Sequence, residues 1–580
     1  MNNIRIALVF LSLSVAGGAY ADATTDFNAL LGEHWEWTLA KSPVMASTMG
    51  DRRYNQDWGD NSLAAIEQEH RETREFLRRV YAIDRTALSE EDQLNYELFR
   101  RQLQDTVDEH QFKPYLLPFD HQRGIQSLDT MTNRLRLETV QDFDDWLVRL
   151  GKIGDVINQT IALAEAGRKD GIVSPAILMQ RMTSQIGAQI VEFPADSPFF
   201  RPFASLPESF SPADRERLRA AATDVIEKEV LPAYRKLDKY FNKKYLPAAR
   251  GSIGLSDLPN GNAWYEHQAR SYTTTRLTPD EIHRIGLDEV KRIRDEMQKI
   301  IAEVEFEGSF QEFLTFLRTD PQFYFDNPDD LYQEYLATSK RLDPELVNLF
   351  GKLPRMPYGV KPIPDSIAPD TTTAYYNRPA ADGSRAGTYY VNLYKPEVRP
   401  KYEIEVLSVH EAVPGHHLQI ALQQELGDTP MFRRFMGFTA FVEGWGLYSE
   451  RLGYDMGLYQ DPYSRFGQLT YDMWRAVRLV VDTGMHYKGW TRQQAIDFFK
   501  DNAAKTEHDI VNEIDRYIAW PGQALAYKIG QLKILQIRSR AEVQLGENFD
   551  IRAFHDELLG AGALPLDLLE QRMDRWMAAQ

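Results

Sequence analysis

The sequence predicts a mostly α-helical protein with one small β-sheet or hairpin next to its most chemically loaded stretch. Three observations lead there. Apolar residues recur at helical spacing, with charged faces between them, in runs such as "LAAIEQEHRETREFLRRVYAI" and "DRERLRAAATDVIEKEVLPAYRKLDKYF". The best strand signals are two short runs rich in Thr, Tyr and Val, "TAYYNRP" and "GTYYVNLYKP", separated by the turn "AADGSRA". Finally, 580 residues at 43% hydrophobic supply a large core and allow more than one domain.

The chain opens with Arg5, an apolar run from Ile6 to Val15 and the small-x-small site Ala19-Tyr20-Ala21. That pattern reads as a secretory signal peptide over residues 1–21, since the run is too short to span a bilayer and polar "DATTDF" follows at once. Residues 22–250 read as an N-terminal helical region, interrupted by a Pro- and Phe-rich excursion from Val191 to Pro212. Turn residues in "LPAARGSIGLSDLPNGNAWYEHQ" mark a soft boundary near Leu246, and residues 251–580 form the second region. Helices resume with Thr278 as N-cap and Pro279 at the first helical position. The hairpin follows, and from Tyr402 the chain is helical again.

A net charge of −18 counts against nucleic acid or anionic membrane surfaces as partners. With no cysteine there is no disulfide and no thiol for a lipid anchor. A periplasmic or secreted protein, free of the membrane after signal cleavage, is the expectation.

The stretch "SVHEAVPGHHLQI", Ser408 to Ile420, begins like a zinc-hydrolase helix, with His410 followed by Glu411. Such a site needs two imidazoles on one helical face, a third ligand and a carboxylate beside the metal. The usual second histidine stands four residues on, where this chain has Pro414. On an ideal helix His416 would point about 120° away from His410, and His417 would sit about 10 Å along the axis. Pro414 removes a backbone donor and its ring clashes with the carbonyl of His410, while Gly415 tolerates unusual dihedrals. A two-residue bulge at Val413-Pro414-Gly415 would bring His416 to the metal, with Glu411 as general base and His417 as the competing ligand.

Downstream, "GFTAFVEGWGLYSERLG" sets Glu443 among large apolar neighbours, where a carboxylate needs a partner. Glu443 is therefore the candidate third ligand, with Glu450 the runner-up. In "MWRAVRLVVDTGMHYKGW", Arg478, Asp482 and His486 recur every four residues, which predicts a polar stripe pairing Arg478 with Asp482 and Asp482 with His486. His486 and Tyr487 are candidate oxyanion donors, as is Tyr527 in "WPGQALAYKIG" beside Gln523 and Lys528. Arg475, Arg478 and Lys528 are candidate anchors for a substrate carboxylate.

The motifs "HEAVPGHHLQ", "FVEGWGLYSE", "DTGMHYKGW" and "PGQALAYKIG", in that order, resemble the bacterial family known as domain of unknown function 885. That family is similar to gluzincin-type metallopeptidases, and "FVEGWG" is similar to the third-ligand helix of thimet-type oligopeptidases. The resemblance implies a zincin-like helical shell around a deep channel, as in angiotensin-converting and Taq-type carboxypeptidase relatives. It implies zinc, one per chain, held by His410, His416 and Glu443. It also implies an edge strand at Tyr389 to Leu393 that pairs with substrate, with Tyr389 and Asn392 facing it. The expected function is zinc-dependent hydrolysis of short peptides by a metal-activated water. Two alternatives stand beside it: hydrolysis of a small non-peptide amide or ester, and a non-catalytic periplasmic peptide-binding protein.

Overall fold

The computed structural model describes the backbone from residue 5 and side chains from residue 23, apart from residues 366–367, 369–371, 381–382 and 384. The expected signal segment, with cleavage after Ala21, lies outside the residues whose side chains are described. The chain forms two compact units, Met1–Ser252 with Pro430–Phe432, and Ile253–Thr429 with Arg433–Gln580.

The first unit is helical, with no β-strand among its described residues. The helix Leu63–Ala82 is capped by Ser62, whose hydroxyl accepts from the Ala65 amide, and it buries Phe76, Leu77 and Val80 on one face. The second long helical run contains Pro232, whose ring cannot sit against the carbonyl four residues back. The chain answers by widening to a π-turn at Ile226–Val230, between the helices Pro212–Val225 and Leu231–Tyr240. The Pro- and Phe-rich excursion is built from short turns, with Phe199 and Phe203 both fully buried.

In the second unit α1 (Gly261–Thr273) leads to α2 (Pro279–Glu303). Thr278 and Glu281 form a reciprocal capping box at the start of α2. After α3 (Pro328–Leu342) comes a three-stranded sheet of β1 (Tyr358–Pro362), β2 (Ala374–Asn377) and β3 (Gly387–Val391). Its order is β1-β3-β2, with β1 parallel to β3 and β2 antiparallel to it. The expected hairpin is thus the β2–β3 pair. The sequence reading missed β1, because "YGVKP" is only five residues long, is largely exposed and carries Gly and Pro.

Helices then follow in close succession: α4 (Ile404–Glu411), α5 (His416–Gln424), α6 (Thr439–Asp455), α7 (Pro462–His486), α8 (Glu507–Ala519) and α9 (Ala526–Leu545). The core helix of this unit is α7, buried along nearly its whole length and packed against α2, α4, α8 and α9.

Candidate metal centre

The chain does not pass from His410 to His416 through a bulged helix, as the sequence reading expected. It breaks. Helix α4 stops at Glu411, α5 starts at His416, and Ala412 and Gly415 between them have ψ of −105° and −128°. The Val413–Pro414 peptide is cis. The reason lies in the local hydrogen bonds: Pro414 has no N–H, so the Gly415 amide donates instead to Val409 O at 3.0 Å and the His417 amide to Ala412 O at 3.0 Å. A Cβ on Gly415 would lie 1.9 Å from the His410 carbonyl oxygen, so the break closes only with glycine there. Trp445 on α6 pins it from the other side, its indole N–H donating to Pro414 O at 2.8 Å.

The break swings the two imidazoles together. The rings of His410 and His416 lie edge to face, 4.8 Å between centroids at 86°. Glu443, from the first turns of α6, brings Oε2 to 3.9 Å from His410 Nε2 and 3.5 Å from His416 Nε2. Those three donor atoms lie within 4.8 Å of one another, the sole such grouping of metal-ligating side chains among the described residues. Tetrahedral zinc with bonds near 2.05 Å sets its ligand atoms about 3.3 Å apart, so this donor set fits the ion with small adjustments. Two neutral imidazoles and a carboxylate are also the ligand chemistry zinc takes in hydrolytic sites.

His410 is oriented from behind. Its Nδ1 lies 2.8 Å from Glu450 Oε1, so with Glu450 ionised the shared proton sits on Nδ1 and the Nε2 lone pair faces Glu443 and His416. Arg475 approaches the same carboxylate at 3.5 Å. Burial pushes the Glu450 carboxyl up to about 8, and the Arg475 charge opposes that push. Burial also holds the His410 ring well below its ordinary value, in the neutral form a ligand needs. Gly446 leaves the room for this ring, since a Cβ there would stand 2.8 Å from His410 Cε1.

Glu411 caps the end of α4 beside the cluster. Burial raises its pKa, His416 draws it down, and its carboxylate accepts a hydrogen bond from the Tyr376 backbone N–H on β2. Tyr376 is therefore a link between the sheet and the base. No sequence signal marks it, because its role depends on which edge of the sheet is open.

The other sequence candidates divide sharply. His417 does not share the cluster: its Nδ1 bonds the Tyr376 hydroxyl at 2.8 Å and its Nε2 the Met356 carbonyl at 3.0 Å. Glu450 orients His410 and is not one of the three clustered donors. Tyr527 lies close to the centre, with burial and the nearby Glu443 charge raising its pKa and the Arg478 guanidinium stacked 4.4 Å over its ring.

The expected stripe on α7 is not formed. Arg478 donates to the Tyr517 hydroxyl and pairs with Glu513 at 3.2 Å, both on α8, instead of Asp482. Asp482 accepts from the Tyr265 hydroxyl at 2.5 Å and the Gly522 amide at 3.0 Å. His486 accepts from the Leu255 amide and donates to Tyr517 O, so both its nitrogens are engaged in the core and neither is available as an oxyanion donor. Tyr487 bonds Glu266 at 3.2 Å. Four-residue spacing places groups on one face, but here that face meets α1 and α8, whose groups capture each member separately.

Tyr389 and Asn392 are also relocated. Tyr389 sits on β3, the central strand, and is fully buried; Asn392 is fully buried and donates to Ala368 O and Thr372 O. The edge facing α4 belongs to β2. Lys528 is locked between Asp472 at 2.5 Å and Glu289 at 3.0 Å, and Gln523 accepts from Arg516. Helices α6 and α9 meet at Gly444 and Gly530 with their backbones in contact, since a Cβ on Gly530 would stand 1.9 Å from Ala440 O. This crossing sets Glu443 and Tyr527 on a common joint.

Comparison with known proteins agrees with this architecture. The profile of the bacterial proteins of unknown function called DUF885 matches residues 43–573, and the chain belongs to that family. A crystal structure of a candidate lipoprotein from Colwellia psychrerythraea is similar at a TM-score of 0.89 and 28% identity, covering 96% of this chain and 100% of that one. A candidate lipoprotein of unknown function from Shewanella oneidensis shares the fold at a TM-score of 0.73 and 17% identity, over 95% and 99% of the two chains. No curated protein matches the chain.

Proposed function

We propose that this DUF885 member is a zinc-dependent hydrolase that cleaves peptide bonds of short peptides outside the cytoplasm. The observation that carries the reading is the convergence of His410, His416 and Glu443 from three helices, with Glu411 beside them and Glu450 behind His410. The similarity of "FVEGWG" to the gluzincin third-ligand helix supports the same ligand set, and the description of solved relatives as candidate lipoproteins supports the location.

Zinc held by these residues supplies Lewis acidity toward a carbonyl oxygen and a water. The chain's own groups do the rest. Glu411, its pKa raised by burial, takes a proton from the attacking water as its oxygen bonds the carbonyl carbon. It returns that proton to the amine nitrogen as the C–N bond breaks. The Tyr527 hydroxyl, held at the centre by its stack with Arg478, is the donor for the developing oxyanion. His410 stays neutral and oriented through Glu450.

The test is a pair of measurements on one variant. Glu411→Gln is expected to retain about one equivalent of zinc and to lose peptide hydrolysis by about 10³-fold or more. Full activity in that variant, or wild-type protein that takes up no zinc, overturns the reading.

A further inference from the structure

Arg149, in the first unit, is 0% exposed and forms no ion pair among the described residues. The two carboxylates that precede it on its own helix are engaged elsewhere. Asp142 accepts from the Glu138 and Thr139 amides and pairs with Arg52 at 3.1 Å. Asp145 accepts from the side-chain amides of Gln56 and Gln141, each at 2.8 Å. Arg149 Nη2 donates to Ser47 Oγ at 2.8 Å and to Tyr54 O at 2.7 Å. Its Nε and Nη1 have no acceptor among the described residues, and neither has the indole Nε1 of Trp146, which is 1% exposed. A buried charge with donors unmatched by protein is costly, so these groups call for a partner.

All three nitrogens belong to residues that line one cavity. The helix Val140–Gly151 presents Asp142, Asp145, Trp146 and Arg149 on one face, at spacings of three, four and seven residues. Ser47 and Arg52 stand in the wall from the preceding segment. The cavity is about 20 Å³, room for one small ion or one water. Nη1 carries two hydrogens, so the unmatched donors amount to four N–H bonds. A water accepts two hydrogen bonds. An anion accepts all four and supplies the charge that Arg149 lacks. Asp142 and Asp145 in the same wall repel a second negative charge, which disfavours sulfate and the phosphate dianion.

We propose that this cavity is a binding site for one small monoanion, of chloride or formate size, held by Arg149 and Trp146. The ion fastens the helix Val140–Gly151 to the segment around Ser47 and Tyr54, which Arg149 already grips through Nη2. It is a structural clamp of the first unit, and it is independent of the hydrolase reading of the second.

The experiment is melting of the full chain at fixed sodium concentration, with gluconate, too large for the cavity, exchanged for chloride or for formate. A saturable rise of about 1–3 °C is expected at ten times the half-saturating concentration. Trp146→Phe keeps a ring against Trp58 and removes one donor, so half-saturation should need about tenfold more anion. A response to chloride, to formate or to both identifies the ion, and each supports the site. Crystals grown in sodium bromide or sodium formate should show the ion beside Arg149 and Trp146, bromide by its anomalous scattering, a reading that needs no variant. Equal melting in all three salts, a rise that Trp146→Phe leaves unmoved, or crystals of both kinds with no ion in the cavity overturns the proposal and leaves water as the partner of these N–H groups.

Discussion

Replacing Glu450 by Gln tests whether the carboxyl behind His410 tunes the metal site or merely fills space. The Glu450 Oε1 contact to His410 Nδ1 is 2.8 Å and both groups are buried, 0% and 3% exposed. Above the pKa of about 8 that burial gives Glu450, where the measurement is made, the carboxylate forms a charge-assisted hydrogen bond worth about 1.5–3 kcal/mol, against about 0.5–1.5 kcal/mol for a neutral one. Glutamine has the same shape and can still accept from Nδ1–H through its carbonyl oxygen, so the net loss is about 1–2 kcal/mol. At 1.4 kcal/mol per tenfold, zinc should bind about 5- to 30-fold more weakly. The assay is competition for zinc against a chromophoric chelator, with far-ultraviolet circular dichroism as the control for fold. At saturating zinc most of the hydrolytic rate should return, because Glu411 and Tyr527 are untouched. Zinc affinity within twofold of wild type would show that His410 needs no support from behind, and the tautomer argument would fail.

Other outcomes follow from the same geometry. His416→Ala should lose stoichiometric zinc in metal analysis while His417→Ala keeps it, because only His416 faces Glu443. Gly415→Ala puts a methyl group 1.9 Å from a backbone oxygen that cannot rotate away, and a denaturant titration should show a loss of at least about 3 kcal/mol. Asp482 is raised by burial from 3.8 to about 7, so between those values the folded state holds a proton the unfolded state has lost. Stability should therefore fall as pH rises from about 4 to 7, by on the order of 4 kcal/mol at most, and Asp482→Asn should remove that slope. An unchanged slope in the variant would assign the effect elsewhere.

The sequence revealed what depends on local order and missed what depends on packing partners. Helices were readable from apolar spacing and caps, down to Thr278 and Glu281 at the head of α2. The hairpin was readable from Thr, Tyr and Val content, whereas β1 is held by pairing with β3 and by Tyr332 and Ser339 of α3, partners its own five residues do not announce. The choice of Glu443 was available because a carboxylate between Phe441, Val442 and Trp445 demands a partner, and the structure brings it to His410 and His416. The form of the break was not available: a bulge and a full interruption share the same Pro-Gly, and the difference is settled by Trp445 and the His410 carbonyl. Likewise Arg478, Asp482 and His486 have the spacing of a mutual relay, yet Glu513, Tyr265 and Leu255 reach them first.

The glycine crossing of α6 and α9 bears on how this centre can be remodelled. Two helices touching backbone to backbone at Gly444 and Gly530 leave no side chain to trim and no gap to widen. Glu443 and Tyr527, one on either side of that weld, keep a separation that neighbouring substitutions cannot stretch. Enlarging the site for bulkier amides is then a matter of shortening Tyr527 itself or reshaping the β2 edge. Libraries aimed at spreading the helices would return unfolded protein rather than broader specificity.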